Sequence, residues 1–142
     1  MKNTIIVDTG YILALRNLND KHHKHAVSCA EKFHTQRFIT TWPVLTESYY
    51  LLMNRLSVHD AIALLNAVKL NAFTIFPLNQ DHSSRLIQLC EAYADLPMDL
   101  ADASLVVLAE SVGHGKILST DQRDFKTYRW KNKKPFKNLM IN

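Results

Sequence analysis

The sequence predicts an α/β fold: a three-layer α/β/α sandwich built around a central parallel sheet. Three observations support this. Short apolar runs rich in β-branched and aromatic residues recur at Thr4–Val7, Phe38–Thr41, Phe73–Phe76 and Ile117–Thr120. Between them lie longer segments with helix-start signals such as Pro43 and Ser57. No repeat, low-complexity linker or domain boundary interrupts the alternation. Strands separated by helices pair in parallel through right-handed crossovers, which place helices on both faces of the sheet.

Taken in order, Thr4–Val7 reads as a buried strand ending at Asp8, and Tyr11–Leu15 as a short helix. Asn19–His25 leads into a helix reaching about Phe33. Its histidines, His22, His23 and His25, raise a metal hypothesis. A polar helix start with solvated imidazoles accounts for them more simply. After the Phe38–Thr41 strand, Pro43 opens a helix to about Leu56, and Ser57 caps the next, Val58 to Leu70. The Phe73–Phe76 strand precedes a helix from Asn79 to Tyr93. Pro97 marks the start of another helix, whose stretch from Leu100 to Ala109 contains Asp102 as its only charge. Gly113 and Gly115 stop it. The Ile117–Thr120 strand then ends at Asp121, and Asn138–Ile141 can add a short edge strand.

The chain has 142 residues, 47% hydrophobic and 21% charged, which suits one domain over residues 1–142 with a proper core. No apolar run is long enough to span a membrane. The Ile5-Ile6-Val7 run is too short, and too soon followed by Asp8, for a signal-peptide core. Cys29 and Cys90 lack metal-type spacing and read as buried thiols in a reducing compartment. A cytoplasmic protein is expected. The net charge of +4 is unevenly placed, with eight Lys or Arg from Lys116 to Lys137 against Asp121 and Asp124. Phe125, Tyr128, Trp130 and Phe136 are interleaved among them. Such a segment, Lys133 and Lys134 included, suits a phosphate backbone and stacked bases; a solvated tail with aromatic anchors explains it equally well.

Chemistry enters through isolated acids. Asp8, Glu47, Asp102 and Asp121 each stand alone beside or within an apolar segment. For Asp99 a helix-start acid favoured by the macrodipole is a sufficient account. It is a poorer one for Asp102, set among Leu100, Ala101, Ala103, Leu105, Val106 and Val107. In parallel α/β sheets, sites form at the carboxyl ends of strands. If the strands ending at Asp8 and Asp121 are neighbours, their carboxylates share one crevice. Carboxylates brought together need protons or a cation. An oxygen-only ligand set favours Mg²⁺ or Mn²⁺ over zinc. An acidic metal site beside a basic segment points to phosphodiester hydrolysis.

Four blocks then carry a resemblance: Ile6-Val7-Asp8-Thr9; Glu47 in the helix after the second strand; Leu100-Ala101-Asp102-Ala103; and Leu118-Ser119-Thr120-Asp121 followed by Asp124-Phe125. Together they resemble the PIN domain, especially the VapC-like toxin ribonucleases of prokaryotic toxin–antitoxin pairs, over essentially the whole chain. The resemblance implies a five-stranded parallel sheet of order 3-2-1-4-5. It implies a Mg²⁺- or Mn²⁺-dependent endoribonuclease acting on single-stranded RNA, often as a homodimer and paired with an antitoxin protein. It marks Asp8 and Asp102 as metal ligands, and Glu47 as the acid that binds a second ion or orients water. Asp121 becomes the fourth acid, with the Thr120 hydroxyl beside it as a substrate contact, and Asp99 an additional catalytic acid one turn early. Asp124 reads as structural, capping the turn before Phe125. Gly10 departs from the more usual Ser or Asn after the threonine.

Other classes fit less well. Asp8-Thr9-Gly10 also matches the aspartic-protease triplet, but that fold is all-β. A phosphoaspartyl phosphatase wants an acid where Gly10 stands, and a receiver domain wants an Asp where Phe76-Pro77 stands. A PIN-like module that binds RNA or a partner without catalysis is the remaining alternative.

Overall fold

The computed structural model describes residues 3–141, apart from the side chain of Gln122. Its strands are β1 Thr4–Val7, β2 Arg37–Thr40, β3 Thr74–Ile75, β4 Lys116–Leu118, β5 Arg129–Trp130, β6 Lys134–Pro135 and β7 Lys137–Asn138. Its helices are α1 Thr9–Arg16, α2 His23–Lys32, α3 Trp42–Arg55, α4 Val58–Lys69, α5 Ser83–Ala92, α6 Leu100–Val112 and α7 Gln122–Thr127. The main sheet runs β3-β2-β1-β4-β7, with every pairing parallel. This is the PIN-like order with the C-terminal strand as the fifth. β5 and β6 form a separate antiparallel hairpin.

The centre of the sheet is apolar on both faces, as a parallel sheet between helices must be. Ile5, Ile6, Val7, Ile117 and Leu118 have no exposed surface at all. Against them lies α6, buried from Ala103 through Ala109. Burying each Leu or Val side chain there contributes roughly 1.5–3 kcal/mol. Its one buried hydroxyl, Ser104, is satisfied by Ala101 O at 2.6 Å and by Thr41 Oγ1 at 2.6 Å. No helix among the described residues is long and apolar enough to cross a membrane.

Several boundaries differ from expectation, each for a local reason. Thr41 is not the end of β2 but the N-cap of α3, its hydroxyl accepting from Val44 N–H. α6 begins at Leu100 because the Asp99 side chain caps it, leaving Pro97 outside the helix. The predicted Asn79–Tyr93 helix divides into a 3₁₀ turn, Gln80–His82, and α5, because Asn79 and His82 form a capping box around the turn. The edge strand β7 is shorter and begins earlier than Asn138–Ile141. Gly113 ends α6 at φ 81°, a left-handed position that glycine adopts without steric penalty.

The histidine stretch is partly structural: the His23 ring lies 2.7 Å from Ala14 O and ties α2 to α1. Cys29 is a buried free thiol, whereas Cys90 is only half-buried. The aromatics of the basic segment face inward. Phe125 packs edge-on against Tyr128 and Phe136, at centroid distances of 5.3 Å in both cases, and Trp130 is buried. They are anchors and are withdrawn from any stacked base.

The β5–β6 hairpin is held at its tip. Lys131 and Asn132 adopt positive φ (51° and 62°), a conformation non-glycine residues hold only when their surroundings impose it. Glu110 on α6 supplies that constraint. Its carboxylate accepts from Lys131 N–H at 2.6 Å and pairs with Arg85 through Nε and Nη2 at 2.9 and 2.7 Å. Arg85 in turn donates to Asn132 Oδ1 at 2.9 Å. Glu110→Ala is expected to lower stability by about 1–3 kcal/mol, since it strips a part-buried guanidinium of its partner. By loosening the hairpin backbone it should also speed tryptic cleavage after Lys131 and Lys133, Lys134 being protected by the following Pro135; a urea midpoint and a digestion time course check both.

Candidate active site

The local chemistry of three helix starts builds the site. Asp8 follows β1 and caps α1, its Oδ1 accepting from Tyr11 N–H at 2.9 Å. Asp99 caps α6, accepting from Asp102 N–H at 2.8 Å. Asp121 follows β4 and caps α7, accepting from Asp124 N–H at 3.0 Å. Since β1 and β4 are neighbours, Asp8 and Asp121 emerge at the same carboxyl edge. Asp102, three residues into α6, and Glu47, midway along α3, approach from the helix layer.

The result is a pocket of about 260 Å³ lined by Asp8, Glu47, Asp99, Asp102, Asp121 and Asp124, with Arg55 the one cation on its wall among the described residues. All five acids assigned from the sequence line it. Of the assigned substrate contacts, Thr120 does not line it but lies behind Gly10, and Lys133 and Lys134 are absent from its walls. Those lysines belong to the hairpin pinned by Glu110, eight residues or about 12 Å along α6 from Asp102. A β-carbon at position 10 would fall 2.0 Å from Thr120 Oγ1, so glycine there permits the close approach of the β1–α1 turn to the end of β4.

Sequence reasoning overlooked three contributors. Ser119, buried at the end of β4, donates its hydroxyl to Asp8 Oδ2 and accepts from Asp121 N–H at 2.9 Å, joining the two acids through one side chain. Tyr128, buried and read only as an anchor, donates to Asp102 Oδ2 at 3.0 Å. Asp124 does not cap the turn before Phe125; Asp121 does, and the Asp124 carboxylate joins the pocket. One signal could have revealed Asp124. Asp121-x-x-Asp124 repeats the spacing of Asp99-x-x-Asp102, a capping acid followed by a pocket acid.

The electrostatics follow from burial. Asp8 is held up at about 7 first by desolvation, which outweighs its bonds from Ser119 and Tyr11, and then by Asp121 and Glu47. Asp102 is likewise pushed up to about 7 by desolvation and by Asp99, against the bond from Tyr128. Partial burial and Asp121 raise Asp124. Tyr128 is raised as well, by burial and by Asp102, so it stays a donor.

The donor set suits a hard divalent cation: every acid offers oxygen, and among the described residues no Cys or His lines the pocket. Thr9, also a lining residue, has a buried hydroxyl without a hydrogen-bond partner. Among the described residues no three acids or imidazoles stand close enough to form a ready ligand shell.

Metal-free stability should therefore fall with pH. Between the ordinary value near 3.8 and about 7, the folded protein retains protons on Asp8 and Asp102 that the unfolded chain releases. Stability declines across that window, by up to roughly 4 kcal/mol for each acid, and levels off above it. Asp8→Asn, which keeps an acceptor for Tyr11 N–H, should flatten the decline and raise the neutral-pH melting temperature by several degrees. Thermal melts in chelator between pH 4 and 8 check this; a wild-type profile that rises with pH would contradict it.

The comparisons give the family and the fold. The PIN domain family matches residues 5–131. Ribonuclease VapC26 of Mycobacterium tuberculosis is 25% identical over 125 residues, spanning 88% of this chain and 92% of the relative. The crystal structure of VapC20 of Mycobacterium tuberculosis, described as a sarcin–ricin loop cleaving toxin, superposes with a TM-score of 0.74 at 20% identity. It covers 84% of this chain and 91% of that one, a likeness of fold. With its β3-β2-β1-β4-β7 sheet, its edge of acids and a match over residues 5–131, the chain belongs to the PIN domain family.

Proposed function

We propose that this chain is a divalent-metal-dependent endoribonuclease, hydrolysing phosphodiester bonds of single-stranded RNA with Mg²⁺ or Mn²⁺. The observation that carries this reading is the convergence of six acids from separate elements on one pocket at the sheet's carboxyl edge. The relative named as a ribonuclease supports the reaction class. By the same kinship we assign it as the toxin of a toxin–antitoxin pair, cytoplasmic and homodimeric, opposed by a protein antitoxin.

Asp8 and Asp102 would hold the ion. Bound there, it would supply Lewis acidity, a more acidic water and charge neutralisation at the phosphate. The protein's own contribution is positional. Ser119 fixes Asp8 and keeps Asp121 in register with it. Tyr128 fixes one oxygen of Asp102 and leaves the other for the pocket. Glu47 and Asp121 orient and deprotonate the attacking water, with Asp99 placed to assist. Arg55, the cation on the wall, meets a phosphate oxygen. Thr120, behind Gly10, supports the β1–α1 turn that carries Asp8. Lys133 and Lys134, distant from the pocket, engage the backbone of a longer strand.

The test is cleavage of a labelled single-stranded oligoribonucleotide. Wild type with Mg²⁺ or Mn²⁺ should cut and EDTA should abolish cutting. Asp8→Asn or Asp102→Asn should lower the rate about 100-fold or more. RNA binding with no cleavage under any metal would leave a binding module and overturn the enzyme. For the hairpin, Lys133→Ala with Lys134→Ala should reduce the slope of log affinity against log salt by about 1.4, near 0.7 per phosphate contact on a single strand. An unchanged slope would take the hairpin out of the RNA path.

A further inference from the structure

Beside the acid pocket lies a second, more open groove of about 650 Å³, walled by Trp42, Tyr50, Leu100 and Pro43. The two share Glu47, Asp99 and Ala101, so one begins where the other ends. Its walls are large and apolar yet exposed: Trp42 by 51%, Tyr50 by 60% and Leu100 by 55%. The fold does not require them. Trp42 opens α3, but the cap there is Thr41 and the helix-start proline is Pro43, so any good helix former would serve. Tyr50 sits two turns further along α3, and Leu100 is the first residue of α6, immediately after Asp99. These are side chains from two elements gathered into one apolar patch, which marks a binding surface. By contrast, every aromatic of the basic segment is turned into the core or half-buried against it.

We propose that the groove walled by Trp42, Tyr50 and Leu100 is a base-stacking subsite, receiving an unpaired nucleobase of the strand whose phosphodiester occupies the acid pocket. The proposal rests on the ribonuclease reading and adds what recognises the strand. Two features of the groove select this occupant. It adjoins the acids, and an apolar aromatic face gains attraction from any base without adding charge beside an already anionic pocket. An indole and a phenol offer the flat π surfaces on which unstacked bases are held in single strands. A base paired in a duplex is stacked on its neighbours and not free to enter, so the subsite favours single-stranded RNA.

The experiment uses the full chain in the cleavage-deficient Asp8→Asn background, titrated with a labelled single-stranded oligoribonucleotide and with versions lacking one base at successive positions. Trp42→Ala should weaken binding roughly 5- to 100-fold, the effect of losing one aromatic–base stack. Trp42→Phe should retain most of the affinity while removing the quench of exposed tryptophan fluorescence on RNA addition. Tyr50→Ala should weaken binding in the same direction. One abasic position should reproduce the Trp42→Ala loss and add nothing in that variant. Unchanged affinity in Trp42→Ala and Tyr50→Ala, or equal losses at every abasic position, would overturn the subsite. So would a change of oligomeric mass in Trp42→Ala by analytical ultracentrifugation with RNA affinity intact, which would give the patch to a second copy. Failure of the enzyme reading looks different: wild type that quenches and binds but never cuts with Mg²⁺ or Mn²⁺ overturns the nuclease and upholds the stacking surface.

Discussion

The carboxylate of Asp8 is the constraint around which the site is arranged. It stands at the end of the central strand, 5% exposed, with Tyr11 N–H on one oxygen and the Ser119 hydroxyl on the other. Those bonds favour ionisation, yet desolvation exceeds them and carries the group to about 7. An acid serving only as a helix cap would gain by lying at the surface, where capping is worth about 1 kcal/mol without a burial penalty. The fold keeps Asp8 inside and completes its hydrogen bonds from β4, so the strand pairing itself sets the acid's position. Ser119 also accepts from Asp121 N–H, and a shift in the β1–β4 register would disturb both acids together.

Helix starts extend the same principle. Asp8, Asp99 and Asp121 each commit one oxygen to a backbone N–H at the beginning of a helix, so their orientation is set by backbone geometry. Each helix start also brings partial positive charge, worth about 0.3–1 kcal/mol to a nearby acid. That offset is too small to hold six carboxylates ionised side by side. Asp102 demonstrates the balance: one turn inside α6 and bonded to Tyr128, it is still pushed up to about 7 by burial and by Asp99. Packing thus places the acids, and a proton or a cation has to stabilise them once placed.

Much of this was legible in the chain. An acid isolated among apolar residues stands out in a sequence, and Asp8, Glu47, Asp102 and Asp121 are recognisable in that way, although only Asp8 is fully buried and Asp121 is exposed. The strand order followed from a resemblance and matches the sheet. Neutral partners were not legible. Ser119 is one hydroxyl among several, and only the pairing of β1 with β4 shows that it faces Asp8 across 111 residues of sequence. Tyr128 looked like an aromatic among basic residues, although its hydroxyl and not its ring reaches the site. Lys133 and Lys134 join the site in the sequence through clustered charge and interleaved aromatics. Composition cannot report that Glu110 pins their hairpin to the far half of α6.

The distribution of charge finally links occupancy to access. The chain is net positive at +4, but the basic hairpin and the acidic pocket lie at different ends of α6. With a screening length near 8 Å at physiological salt, the hairpin's charge is largely screened at the pocket. Arg55, itself exposed, shares the pocket lining with six acids. An anion about 4 Å from one carboxylate meets roughly 4 kcal/mol of repulsion at the effective dielectric of a protein surface. Arg55 alone cannot offset that for several carboxylates at once. On the proposed function, a phosphodiester would enter only after protons or a divalent ion had neutralised the acids, so binding the ion and admitting the strand would be one electrostatic requirement. The neighbouring apolar groove escapes it, because stacking on Trp42 and Tyr50 depends on area and polarisability and so draws a strand toward the pocket without regard to its charge.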